Sequence, residues 1–136
     1  MIALDVLRAP GREEYTRIAF FRERGYYHPG LWRDFRANWA ALVAESLIAV
    51  DTSCSSLLPQ VRSRAPETAP VYLAPGEPLK LHVFIDRSIV EVFVNDRQCV
   101  AVRVYPSLAE SRGISLRAQG REALLNRLDA WQMDSI

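Results

Sequence analysis

Residues 79–105, LKLHVFIDRSIVEVFVNDRQCVAVRVY, contain three apolar runs separated by two polar breaks, Asp86-Arg87-Ser88 and Asn95-Asp96-Arg97. Runs this short, rich in Val, Ile and Phe and bounded by Asp, Asn and Ser, form antiparallel strands joined by tight turns. With a two-residue first turn (Arg87-Ser88) and a three-residue second turn (95–97), one face collects Leu81, Val83, Ile85, Val90, Val92, Val94, Val100, Val102 and Val104. That face is wholly aliphatic, and each large side chain buried against a second sheet contributes about 1.5–3 kcal/mol. A slip of one residue would turn a strand's valines outward, so the pattern specifies the register.

The opposite face of the same meander carries His82, Phe84, Asp86, Glu91, Phe93, Arg103 and Tyr105, together with Lys80, Ile89, Cys99 and Ala101. Aromatic rings beside charges suit a docking surface for another domain, and equally a sheet face covered by its own loop. Glu91 and Arg103 lie diagonally across the second hairpin and are candidates for an ion pair. Asp86 and Glu91 also invite a catalytic reading, because glycoside hydrolysis uses two carboxyls roughly 5–9 Å apart flanking a pocket. A flat sheet face offers no concave site, and the structural reading of the pair is preferred.

The flanking sequence extends the β pattern. Residues 2–7 form a short strand ended by the Ala9-Pro10-Gly11-Arg12 turn signal, and residues 15–21 alternate as a second strand. Phe35, Trp39, Leu42 and Val43 then recur at helical spacing behind Asp34, which predicts one short helix at about 34–46. Residues 47–50 return to strand, and five prolines between positions 59 and 78 mark a surface connection with an edge strand at 71–73. A further strand is expected at 113–118. In residues 122–133, Leu124, Leu128 and Trp131 lie at helical spacing among good helix formers.

At 136 residues, nearly half of them hydrophobic, the chain is one domain able to bury a core without disulfides or a metal. The net charge is +1, and Lys80 is the sole lysine among scattered arginines, which argues against nucleic-acid binding. Cys54 and Cys99 can pair or remain thiols. With no CxxC or Cys/His cluster, no zinc or other cofactor is expected. His28 and His82 have no nucleophile partner in a recognisable motif, and no glycine-rich phosphate loop occurs. No apolar run approaches the roughly 18 residues of a membrane span, and a signal-peptide pattern is absent from this chain, so no compartment is assigned.

The string Phe84-Ile-Asp-Arg-Ser-Ile-Val-Glu-Val-Phe-Val-Asn95, followed by Arg103-Val-Tyr-Pro106 and Leu128-Asp-Ala-Trp-Gln-Met133, resembles the C-terminal region of glycoside hydrolase family 32. This is the family of invertases, inulinases and levanases, whose members are often secreted. Glu14-Tyr15-Thr16, residues 51–56 and Gly76-Glu77-Pro78-Leu79 are similar to it as well. The resemblance implies an all-β, two-sheet antiparallel sandwich, jelly-roll-like, that follows a five-bladed catalytic propeller. It also implies strands rather than a helix at 122–133, and this reading is adopted because tertiary pairing overrides propensity. Residues 26–46 do not fit the family pattern and read as an insertion into a single domain spanning 1–136.

In that family the catalytic groups lie on the propeller, in Asn-Asp-Pro-Asn-Gly, Arg-Asp-Pro and Glu-Cys motifs. Here Arg33-Asp34 is followed by Phe35, Glu45 by Ser46, and Asn95-Asp96 by Arg97, so no catalytic residue is transferred. The resemblance therefore implies an accessory module, inactive alone, that buttresses the propeller of the same enzyme or contacts a second copy of itself. The alternatives are a free-standing carbohydrate-binding module, with stacking rings drawn from Tyr26, Tyr27, Trp32 and Trp39, and a structural or self-association domain.

Overall fold

The structure, a computed structural model, describes residues 1–24 and 46–133. Eight strands run in chain order: β1 (Ile2–Arg8), β2 (Thr16–Phe21), β3 (Ser46–Asp51), β4 (Glu67–Val71), β5 (Leu81–Asp86), β6 (Ile89–Val94), β7 (Gln98–Arg103) and β8 (Gly113–Ala118). They form a five-stranded sheet in the order β4-β3-β2-β1-β8 and a three-stranded sheet in the order β5-β6-β7. All pairings are antiparallel. The chain builds most of the first sheet as a meander, crosses to complete the second, and returns through β8 to pair with β1.

The β5-β6-β7 meander has the register that its side chains specify. Asp86 pairs with Ile89 across Arg87-Ser88, and Val94 pairs with Gln98 across residues 95–97. Arg87, Asn95 and Asp96 occupy the left-handed region, with φ of 50°, 48° and 55°. Asn and Asp tolerate it because their short side chains bond locally. The Asn95 side chain here makes three bonds to a distant segment instead. Its Nδ2 donates to Glu77 Oε1 (3.0 Å) and to the Pro78 carbonyl (2.9 Å), while its Oδ1 accepts from the Lys80 amide (2.9 Å). The second turn is thereby tied to the segment that enters β5.

Val90, Val92, Val94, Val100, Val102 and Val104 are buried and meet Val6, Ile18, Phe20, Ile48, Val50 and Val71 from the five-stranded sheet. These twelve side chains form one core between two layers, a β-sandwich. The edge strand lies earlier than the sequence suggested, at Glu67–Val71 rather than 71–73, and carries Pro70 opposite Leu47. Its place at the sheet edge tolerates the missing N–H. At the β1–β8 junction, where the register shifts between Asp5 and Arg8, a Cβ on Gly113 would sit 2.8 Å from the Arg8 carbonyl oxygen. Only glycine lets the two backbones come this close.

The described residues contain no helix. The helix expected at 34–46 falls almost wholly outside the described residues, as do Tyr26, Tyr27, Trp32 and Trp39. At 122–133 both readings, the local helix and the adopted strand, are corrected. The segment has no regular structure and every residue in it is exposed. Twelve residues are too few to hold a helix without tertiary packing, and a strand needs a neighbouring backbone to bond with.

Candidate docking face and groove

The pleat places His82, Phe84 and Asp86 on the outer side of β5, and Ile89, Glu91 and Phe93 on that of β6. Cys99, Ala101 and Arg103 on β7, with Tyr105 just beyond, complete that side. All seven candidate docking residues therefore share one face. Phe84, Ile89 and Tyr105 are exposed although large and apolar or aromatic. The Phe84 and Phe93 rings meet edge to face, 5.8 Å between centroids at 87°. His82 Nδ1 lies 3.8 Å from Asp96 Oδ1, and Lys80 Nζ donates to Asp96 Oδ2 at 2.8 Å. The Lys80 contact, helped by the charges of Lys80, His82 and Arg97, holds the Asp96 carboxyl below its ordinary range.

Glu91 and Arg103 do not form the ion pair their diagonal placement suggested: Glu91 sits opposite Ala101, Arg103 opposite Ile89, and no salt bridge joins them. Both instead line a groove of about 850 Å³ between the outer side of β6–β7 and residues 52–67. Arg62, Arg64, Glu67 and Tyr105 line it too. The face is thus concave at one side, contrary to the flat sheet expected. Asp86 lies outside that concavity, so the groove does not assemble the Asp86–Glu91 pair that glycoside hydrolysis would need. Arg62 and Arg64 belong to a proline-flanked connection, and sequence pattern gave no sign that they would join Glu91 and Arg103.

Sequence reasoning also missed a buried carboxylate behind the face. Glu14 is wholly buried and accepts five hydrogen bonds. They come from the amides of Leu57 (3.2 Å), Ser107 (3.0 Å) and Leu108 (2.8 Å) and the hydroxyls of Ser107 (2.8 Å) and Ser111 (2.6 Å). Burial alone would push this carboxyl up. The donations from Ser111, Leu108 and Ser107 outweigh it and bring the pKa down to about 2. Glu14 pins the loops before β2, after β3 and after β7 to one another, a structural role that fills its acceptor capacity. Nearby, Asp5 is held by Arg17 (2.8 Å) and Arg12 (3.4 Å), and both guanidinium groups lie over the Tyr15 ring.

Cys54 and Cys99 are free and exposed, neither paired nor buried. Among the described residues no three His, Cys, Asp or Glu side chains gather where a metal could be held. No helix among them is long and apolar enough to cross a membrane.

A sequence model of the family described as "Glycosyl hydrolases family 32 C terminal" matches residues 1–132, nearly the whole chain. The chain belongs to that family. It is 33% identical over 136 aligned positions to an insoluble beta-fructofuranosidase isoenzyme of Arabidopsis thaliana, covering 97% of this chain and 21% of the plant protein. Two Escherichia coli proteins, a raffinose invertase and a sucrose-6-phosphate hydrolase, are each 44% identical over 64 and 62 residues. These matches take in 46% and 45% of this chain and 13% of each bacterial protein. The chain thus spans about a fifth of the length of the plant relative, and the stretches matched in the bacterial ones are 13% of each. In these larger enzymes it is the C-terminal part.

Proposed function

We propose that this family 32 domain is a non-catalytic accessory module whose β5-β6-β7 outer face docks on a catalytic propeller of a fructan- or sucrose-cleaving hydrolase. The observation that carries the reading is the exposed face itself. It sets Phe84, Phe93 and Tyr105 among His82, Asp86, Glu91 and Arg103, with a groove at its edge. Aromatic anchors ringed by charged groups are what a partner surface buries and pairs. The catalytic motifs that the family carries on its propeller do not occur in this sequence.

The test is a double substitution, Phe84→Asp with Phe93→Asp. The two rings contribute about 0.5–1.5 kcal/mol to each other beyond their buried area. With Phe84 exposed, Phe93 half-buried and Glu91 opposite position 84, the isolated variant should stay folded with its Tm lowered by roughly 10 °C. Binding to a family 32 propeller supplied as a separate chain, read by sedimentation, should be lost. Equal binding by the variant and the parent chain contradicts the assignment of this face.

A further inference from the structure

The groove between β6–β7 and residues 52–67 brings charged side chains of both signs together and leaves them unpaired. Arg62 and Arg64 stand two positions apart on the connection that leads to β4, and Glu67 begins β4. Glu91 and Arg103 come from the outer side of β6–β7, with Tyr105 just beyond. None of the five charged side chains forms a hydrogen bond or an ion pair with another described residue. Elsewhere in the domain opposite charges do find one another, as in Arg17–Asp5 and Lys80–Asp96. The strand pairing accounts for the gap. Glu91 faces Ala101 and Arg103 faces Ile89, so the two charged heads occupy opposite corners of a cross-strand square whose other corners are apolar. Diagonal neighbours of this kind stand about 7–8 Å apart. Ala101 and Ile89, both exposed, form a floor between them, and the Tyr105 ring is 46% exposed on the same side.

The donor and acceptor inventory of the groove selects the ligand. Guanidinium groups only donate hydrogen bonds, and ionised carboxylates only accept them. An anion would be drawn by the three arginines but must enter beside Glu67 and Glu91, and a cation meets the reverse conflict. A hydroxyl group suits both, because it accepts from a guanidinium through its lone pairs while donating its proton to a carboxylate. Hydrogen bonds to charged partners are about twice as strong as neutral ones, so each hydroxyl gains from either sign. Neighbouring hydroxyls on a sugar ring repeat this pairing, and the C–H face of the ring fits an apolar floor beside an exposed phenol ring. At about 850 Å³ the groove falls within the roughly 300–1,000 Å³ of small-molecule sites.

We infer that the groove holds a neutral, polyhydroxylated ligand, a short oligosaccharide. Arg62, Arg64 and Arg103 donate to its hydroxyls, Glu67 and Glu91 accept from them, and Tyr105 packs on a ring face. All six residues come from this one chain, and Arg62, Arg64 and Glu67 lie outside the proposed docking face. The site therefore needs no propeller, and either assignment can fail without the other.

Calorimetric titration of the 136-residue chain with two neutral trisaccharides, 1-kestose and maltotriose, tests the inference, with citrate and spermidine as charged probes. At least one trisaccharide should bind, and more tightly than either charged probe. Glu91→Gln and Arg103→Gln should each raise its Kd by about 10-fold or more. Neither side chain is bonded within the described domain, so both variants should melt like the parent chain. Saturable heat from neither trisaccharide overturns the inference. Tighter binding of citrate or spermidine does so as well, because the groove would then select for charge. A trisaccharide Kd unchanged in both variants also overturns it, since the sugar would sit elsewhere on the chain.

Discussion

Glu14 shows what a single residue contributes to this domain. Its folded-state pKa of about 2 lies below the ordinary 4.5, so the carboxylate form is favoured by folding. The stabilisation is fully present above about pH 4.5 and is lost as pH falls toward 2. It is worth about 3 kcal/mol at neutral pH. Glu14→Gln should lower the Tm by about 10 °C at pH 7 and flatten the loss of stability between pH 5 and 2, as followed by thermal melts across pH. A mutant that melts like the parent would show that the five donors do not depend on the charge. The sequence displayed Glu14 only as the start of a family-like Glu-Tyr-Thr string. Its donors lie some 40 to 97 positions away, and no local pattern brings such residues together.

At the scale of elements, legibility tracked how local the determinants are. The β5-β6-β7 register was legible because a period-two aliphatic face and two short polar turns sufficed to specify it. The second turn carries a checkable consequence. Asn95→Ala removes three side-chain hydrogen bonds to the segment entering β5. It should cost about 2 kcal/mol in urea unfolding, with the m-value unchanged. Asn95→Gly should recover only the backbone part, since glycine accepts the positive φ but makes no bond. Residues 122–133 were misread for the opposite reason. Leu124, Leu128 and Trp131 fit a helix and the family motif fits a strand, yet either form depends on a neighbour that the segment's own residues do not specify. The edge strand was placed a few residues late because prolines obscure alternation.

For the molecule as a whole, two layers around one valine-rich core were predictable from composition and turn spacing. The relative width of the sheets was not, because it depends on which strands pair at long range. The candidate site divides the same way. Period two put seven predicted residues on one face, but the groove beside Glu91 and Arg103 needed residues 52–67 to fold against β7. In this arrangement Asp86 stays out of the groove and Glu14 is fully engaged in hydrogen bonds; Glu67 and Glu91 line the groove, but none of the family's catalytic motifs accompanies them in this sequence. The account therefore predicts that the purified 136-residue chain releases no reducing sugar from sucrose, inulin or levan, even at high protein concentration. Measurable release that disappears in Glu91→Gln would contradict it.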